Sequence, residues 1–180
     1  WGAVSLLSNL LDLSMTSALQ RVVPTRESDE EAHGAVKFAL AVTLLLTLLV
    51  AALVALSSGA VASIFSARPD DAPRLPAATL LFVWALPLWT FVEVSTSAAR
   101  ARRAFGPEIR LRIFWEQLAR LAFAALYFFA GLGAVGLMAA HLSSLALTAL
   151  LCVPLLRRFY DLKRLVGARV PASLARELLA

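Results

Sequence analysis

Residues 109–160 read IRLRIFWEQLARLAFAALYFFAGLGAVGLMAAHLSSLALTALLCVPLLRRFY. From Leu121 to Leu156 no side chain carries a formal charge at neutral pH, His141 aside. That run is too long for one membrane crossing, which takes roughly 20 apolar residues. It suits two crossings joined by a tight turn, and Gly131, Gly133 and Gly136 supply the turn signal in its middle. Arg110 and Arg112 precede the pair, and Arg157 and Arg158 follow it. The stretch therefore predicts a helical hairpin in a bilayer, over about 109–131 and 134–156, with both outer ends on the basic, cytoplasmic side.

Composition extends this reading to the whole chain. The sequence is 60% hydrophobic, with a mean hydropathy of +0.77, well above the balance of a soluble domain. The net charge of +5 does not point to nucleic acid. Its arginines sit between apolar runs, where cytoplasmic loops of membrane proteins carry them. The single cysteine, Cys152, excludes a disulfide framework within the chain. Trp1 opens directly into an apolar segment with no cationic leader before it. The expectation is a piece of a longer, multi-pass membrane protein: an all-α transmembrane bundle of about five spans over 1–156, followed by a basic cytoplasmic segment, 157–180, leading to a missing C-terminal half.

Taken in order, the first span (about 1–22) has a polar stripe. Ser5, Asn9, Asp12, Thr16 and Gln20 recur at steps of three or four, which places them on one helix face turned to water or to protein. An amphipathic surface helix is the alternative. The acidic loop TRESDEEAHG (25–34) follows, with Ser28 and Glu31 spaced as a capping box. The next span, 36–58, contains the uninterrupted apolar run Phe38–Leu56. A proline-rich loop, 67–76, leads to a span over 75–99 that contains Pro87 and Glu93. Arg100, Arg102, Arg103, Arg110 and Arg112 then face one acid, Glu108, in the strongest cytoplasmic signal of the chain. Counting from it places 25–34 and the tail inside, and 67–76 and the glycine turn outside. The tail ends in PASLARELLA, which predicts either an amphipathic surface helix or the approach to another span.

An ionisable group within a span costs about 2.5–3.5 kcal/mol on insertion scales, so it turns to a cavity or a partner. Asp12, Glu93, Glu116, Arg120 and His141 are such groups. Glu116 and Arg120 are spaced i,i+4 with the acid first, the favourable order for a helical ion pair, and their face continues through Phe123 and Tyr127. The pair either locks one helix to its neighbour or presents Arg120 to an anionic group in a hydrated cleft. Glu93, one turn from the cytoplasmic arginines, is expected to snorkel towards the interface or to pair with Arg100 or Arg102. His141 shares a face with Ser144 and Thr148, where a helix-contact role competes with a coupling role. The cavity set is Asn9, Asp12, Thr16, Glu116, Arg120 and Tyr127, with Glu93 and His141 as candidates for coupling. No phosphate-binding loop, no metal-ligand cluster and no nucleophile motif is legible, so neither an enzyme activity nor a cofactor is expected.

On these residues the chain resembles a family. SNLLDLSMTSALQRVVP (8–24), the acidic loop and the apolar span after it look like the second and third helices of bacterial polysaccharide flippases. FGPEIRLRIFWEQLARLAFAALYFFAG (105–131) and GLMAAHLSSLALTALLCVPLLRRFYDL (136–162) resemble their fifth and sixth. These are Wzx-like, lipopolysaccharide-biosynthesis-type members of the multidrug/oligosaccharidyl-lipid/polysaccharide exporter superfamily. The resemblance implies a two-lobed transporter of the bacterial inner membrane. Its cationic cavity would flip undecaprenyl-pyrophosphate-linked oligosaccharide, with the polymerase and glycosyltransferases of the same pathway as partners. This chain would supply the second to sixth helices of the N-terminal lobe, and only Arg120 and Arg21 match the cationic role. Two other functions remain open: a multidrug antiporter using Asp12, Glu93 and Glu116, and a membrane glycosyltransferase or assembly factor.

Overall fold

Leu, Val and Ala dominate between the loops, and the chain answers with helices. The structure is a computed structural model that describes residues 15–26, 28–64 and 75–179. All regular secondary structure among these residues is helical. Helix α1 (Met15–Val22) ends in a 3₁₀ turn (Val23–Thr25), and α2 (Asp29–Leu56) follows, with α3 (Ser58–Ile64) continuing beyond it. Then come α4 (Leu75–Val83), α5 (Ala85–Ala101), α6 (Gly106–Glu108), a π-helical stretch (Ile109–Trp115) and α7 (Glu116–Phe129). The chain closes with α8 (Gly133–Phe159), α9 (Leu162–Gly167) and α10 (Ala172–Leu179).

Three helices among the described residues are long and apolar enough to cross a membrane: Asp29–Leu56, Leu75–Ala101 and Gly133–Phe159. They contain the expected spans 75–99 and 134–156 and cover all but the last two residues of the expected span 36–58. The other two, 1–22 and 109–131, are not among them. Of the first, only 15–22 lies within the described residues. The second is helical but carries Arg110, Arg112, Glu116 and Arg120 along its length.

Small residues decide the packing. On α2 the buried positions Val36, Ala39, Thr43, Thr47 and Ala51 recur every three or four residues. This low-profile stripe lets α5 approach closely. The hydroxyls on the stripe are satisfied within the helix: Thr43 donates to the Ala39 carbonyl at 2.6 Å and Thr47 to the Thr43 carbonyl at 2.8 Å. Leu45, Leu49, Leu53 and Leu56 point outward and stay exposed. The expected capping box at the start of α2 does not form. Ser28 holds the N-cap position without a side-chain hydrogen bond, and Glu31 turns instead to Arg26 at 3.4 Å.

Pro87 shapes the next span. It has no N–H to give the Val83 carbonyl one turn earlier, and the helix breaks into a turn at Trp84, between α4 and α5. Beyond it α5 becomes the central helix. Ser95, Thr96, Ser97, Ala98 and Ala99 are all buried, and α5 contacts α1, α2 and α8. The polar stripe of α1 finds its partner here: Gln20 donates to Ser97 Oγ at 3.2 Å, and Ser97 to the Thr16 carbonyl at 2.6 Å.

The α7–α8 hairpin turns as its glycines require. Gly131 and Gly133 have φ of 76° and 54°, a region side chains resist. Gly136, expected in the turn, instead lies in α8, where a Cβ would stand 3.1 Å from Cβ of Tyr127.

The tail forms two short helices that pack on the end of the bundle. Asp161 caps α9 by accepting from the Lys163 and Arg164 amides at 2.8 and 3.4 Å. Leu174 and Leu178 of α10 are buried in the same core cluster as Met15, Leu19 and Val22 of α1 and Val36 of α2. The start of α2, the end of α5 and the end of α8 meet at this end of the bundle, joined by Tyr160, whose hydroxyl donates to the Ala98 carbonyl at 3.0 Å. Arg102 of the loop after α5, Asp29 and His33 at the start of α2 and Asp161 of the tail thus meet at one end.

Candidate functional site

A ladder of opposite charges runs up the helix that starts at Gly106. Glu108, Arg112, Glu116 and Arg120 follow one another at steps of four, the spacing that brings helical side chains to one face. The π-helical stretch lies within this ladder. It widens the turn, so that the Glu116 amide bonds back to the Leu111 carbonyl, five residues earlier. Ile109, Ile113, Phe114 and Trp115, in that stretch, remain exposed on its apolar side.

Arg112 is the centre of the arrangement. It contacts Glu93 of α5 at 2.7 Å and Glu108 at 3.5 Å. Its guanidinium lies over the Trp89 ring, 5.3 Å from the centroid, a geometry in which cation and ring quadrupole attract. Arg100 completes the lower end by reaching Glu108 at 3.0 Å. One turn higher, Arg120 binds Glu116 at 2.6 Å, with the Glu116 side chain only 4% exposed and that of Arg120 33% exposed. Pairing offsets the cost of withdrawing these charges from water. Beside the ladder lies an open cleft of about 560 Å³, lined by Trp89, Glu108, Arg112, Glu116, Gln117 and Arg120 among others. The lining runs from Glu108, which Arg100 ties to the end of α5, up to Arg120.

The structure brings together part of the predicted site. Glu116 and Arg120 form the expected pair and line the cleft. Glu93 joins them through Arg112, not through Arg100 or Arg102, because the hairpin places Arg112 against α5 and leaves Arg102 to pair with Asp29. Thr16 belongs elsewhere: its carbonyl is bound by Ser97 on the α1–α5 contact. Tyr127 is absent from the cleft lining, and its hydroxyl shares a hydrogen bond with Ser143 Oγ at 2.9 Å across the hairpin. His141 is buried on the α8 face with Ser144 and Thr148, its ring 6.4 Å from that of Phe82. Asn9 and Asp12 lie outside the described residues. Arg21 donates to the Glu177 carbonyl at 3.3 Å and so holds the tail.

Arg112, Glu108 and Trp89 are the site residues that the sequence reading did not select. The signal was present, since the Glu116–Arg120 spacing repeats one step earlier as Glu108–Arg112. Among the described residues no group of three or more His, Cys, Asp or Glu is placed to hold a metal ion. Compared with known protein families, curated proteins and solved structures, the chain finds no match.

Proposed function

We propose that this chain is part of a multi-pass inner-membrane transporter that flips a lipid-linked oligosaccharide, with undecaprenyl pyrophosphate as the carrier. In this reading five helices span the bilayer, 1–22 and 109–131 included, and the basic end is cytoplasmic. The observation that carries it is the cleft at Arg112 and Arg120, whose lining combines charged side chains with the exposed apolar residues Ile109 and Ile113. A cleft with both kinds of wall suits a substrate with a hydrophilic head and a polyprenyl tail.

The charges favour an anionic head over a cationic drug. Each of Glu93, Glu108 and Glu116 is already paired with an arginine. Arg120 Nε, by contrast, is buried without a hydrogen-bond partner. Arginine also suits the task chemically, because its planar fork makes parallel bonds to phosphate oxygens.

The test is surface polysaccharide restored to a flippase-deficient bacterium by the full-length protein, with membrane expression measured alongside. Arg120→Lys keeps charge and loses the fork, so it should impair export partly; Arg120→Ala should impair it more. Full complementation by well-expressed Arg120→Ala would leave Arg120 as a structural partner of Glu116 and end the assignment. Orientation is tested with single cysteines at Arg103 and Leu132 in a Cys152→Ser background. An impermeant thiol reagent applied to intact cells should reach position 132 and spare position 103.

A further inference from the structure

His33 is 2% exposed, and both of its ring nitrogens are engaged in a way that fixes its proton. Nδ1 lies 2.7 Å from the Asp29 carbonyl oxygen, an atom that only accepts, so Nδ1 carries the hydrogen. Nε2 lies 3.0 Å from the backbone amide of Asp161, which only donates, so Nε2 supplies a lone pair. The ring is therefore neutral in this arrangement. It is the direct link between the start of α2 and the first residue after the α8–tail junction.

We propose that His33 is a proton-sensitive pin for the C-terminal segment. Neutral His33 holds residues 160–168 on the basic end of the bundle, and protonation of Nε2 loosens them.

A hydrogen on Nε2 would face the Asp161 N–H across 3.0 Å, two donors with no acceptor between them. The backbone must then withdraw, or the Asp161 carboxylate must swing in to accept. The second response strips the cap from α9, because that carboxylate now serves the Lys163 and Arg164 amides. Either response frees the segment that Lys37 also holds, through the Val166 and Ala168 carbonyls at 2.6 and 3.0 Å. Tyr160, edge-on to His33 with centroids 5.3 Å apart, leaves little room for the ring to turn away.

The charges around His33 come from every neighbouring element. On α2, Asp29 Oδ2 stands 3.5 Å from Nδ1, and Glu30 lines the adjoining cavity of about 310 Å³. Arg102, from the end of α5, pairs with Asp29 and stacks over Tyr160. The tail adds Asp161 itself and Arg164, which shares the cavity wall with Glu30. Lys37, one turn along α2, adds a third cation, and the Asp161 amide opposes a hydrogen on Nε2. That opposition couples the proton to movement of the tail.

The experiment uses the chain in lipid nanodiscs, with ¹⁵N-labelled histidine and amide exchange read from about pH 8 to pH 5, the range over which imidazoles change charge. The His33 ring should show the Nδ1–H tautomer at the upper end. Protection of amides 161–168, corrected for intrinsic exchange, should fall about tenfold in step with the titration of His33, as expected for one lost hydrogen bond. His33→Gln should abolish that pH dependence. An Nε2–H tautomer at pH 8, protection that does not follow the His33 titration, or an unchanged transition in His33→Gln would each overturn the proposal. If His33→Gln fails to insert, the tautomer and the co-titration in the parent chain decide alone.

Discussion

Arg112 and Glu93 meet at 2.7 Å from two different helices, with Trp89 stacked under the guanidinium one turn before the acid. Both side chains are about a quarter exposed, at 23% and 24%. The contact therefore joins the α7–α8 hairpin to the central helix at the mouth of the cleft.

Removing one partner should leave the other charge poorly matched. Glu93→Ala and Arg112→Ala are each expected to destabilise the bundle by about 1–3 kcal/mol. The double variant should cost less than the sum, by roughly 1 kcal/mol, because the two residues share one interaction. Denaturant unfolding in micelles measures all three; strict additivity would show that the contact contributes nothing.

Tyr160 is an end-cap supplied from a distance. The Arg102 amide at the end of α5 bonds to the Ala99 carbonyl at 3.1 Å, and the Tyr160 hydroxyl supplies a donor to Ala98. Burial pushes its phenol above the ordinary tyrosine value, against the pull of Arg102, so it remains a donor at physiological pH. Tyr160→Phe should cost about 1–2 kcal/mol, and Tyr160→Ala about 3–5 through the cavity it leaves. Thermal unfolding of the two variants should separate the hydroxyl from the ring.

Gly34 admits the tail. A Cβ there would lie 2.7 Å from the backbone oxygen of Arg169, and a backbone atom cannot swing aside like a side-chain tip. Gly34→Ala should expose residues 162–179 to protease while the α7–α8 hairpin keeps its protection. Equal protection of the tail in parent and variant would count against the contact.

The cap of α9 has its own pH dependence. Amide hydrogen bonds from Lys163 and Arg164 hold the Asp161 carboxyl below its ordinary value of 3.8. A depressed folded-state value means that the cap stabilises the folded form above the unfolded pKa and is lost as pH falls through the folded one. The cap should therefore persist through the ordinary carboxylate range and fail only at more acid pH. Asp161→Asn should remove that acid step in amide exchange while leaving any change nearer neutrality in place.

The sequence told most where the physics is local. Apolar runs predicted the three long helices, and Gly131 and Gly133 the hairpin turn; the break at Trp84, one turn before Pro87, was not foreseen. The Glu116–Arg120 pair was legible because both residues lie on one helix at a fixed rise. Glu93 found Arg112 instead of its sequence neighbours because that choice depends on how the hairpin leans on α5, which no periodicity records. The seat of the tail was hidden for the same reason: Leu174 and Leu178 make an apolar stripe, and a stripe does not name the surface it packs against, here the core cluster around Met15 and Val36.

The π-helical stretch at Ile109–Trp115 gives this part of the chain an unusual tolerance. Each widened turn holds a residue more than an α-helix needs, so the helix carries a stored insertion. Deleting a residue from an ordinary span rotates everything beyond it by about 100° and scrambles its contacts. Here, deletion of Leu111 would let the backbone relax to regular α-helix. The hairpin beyond it would keep its seat, and the rotation would fall on the few residues between Gly106 and Arg110. The helix can thus lose a residue without losing the face that carries Glu116 and Arg120, which makes this turn a natural place for the chain to vary in length.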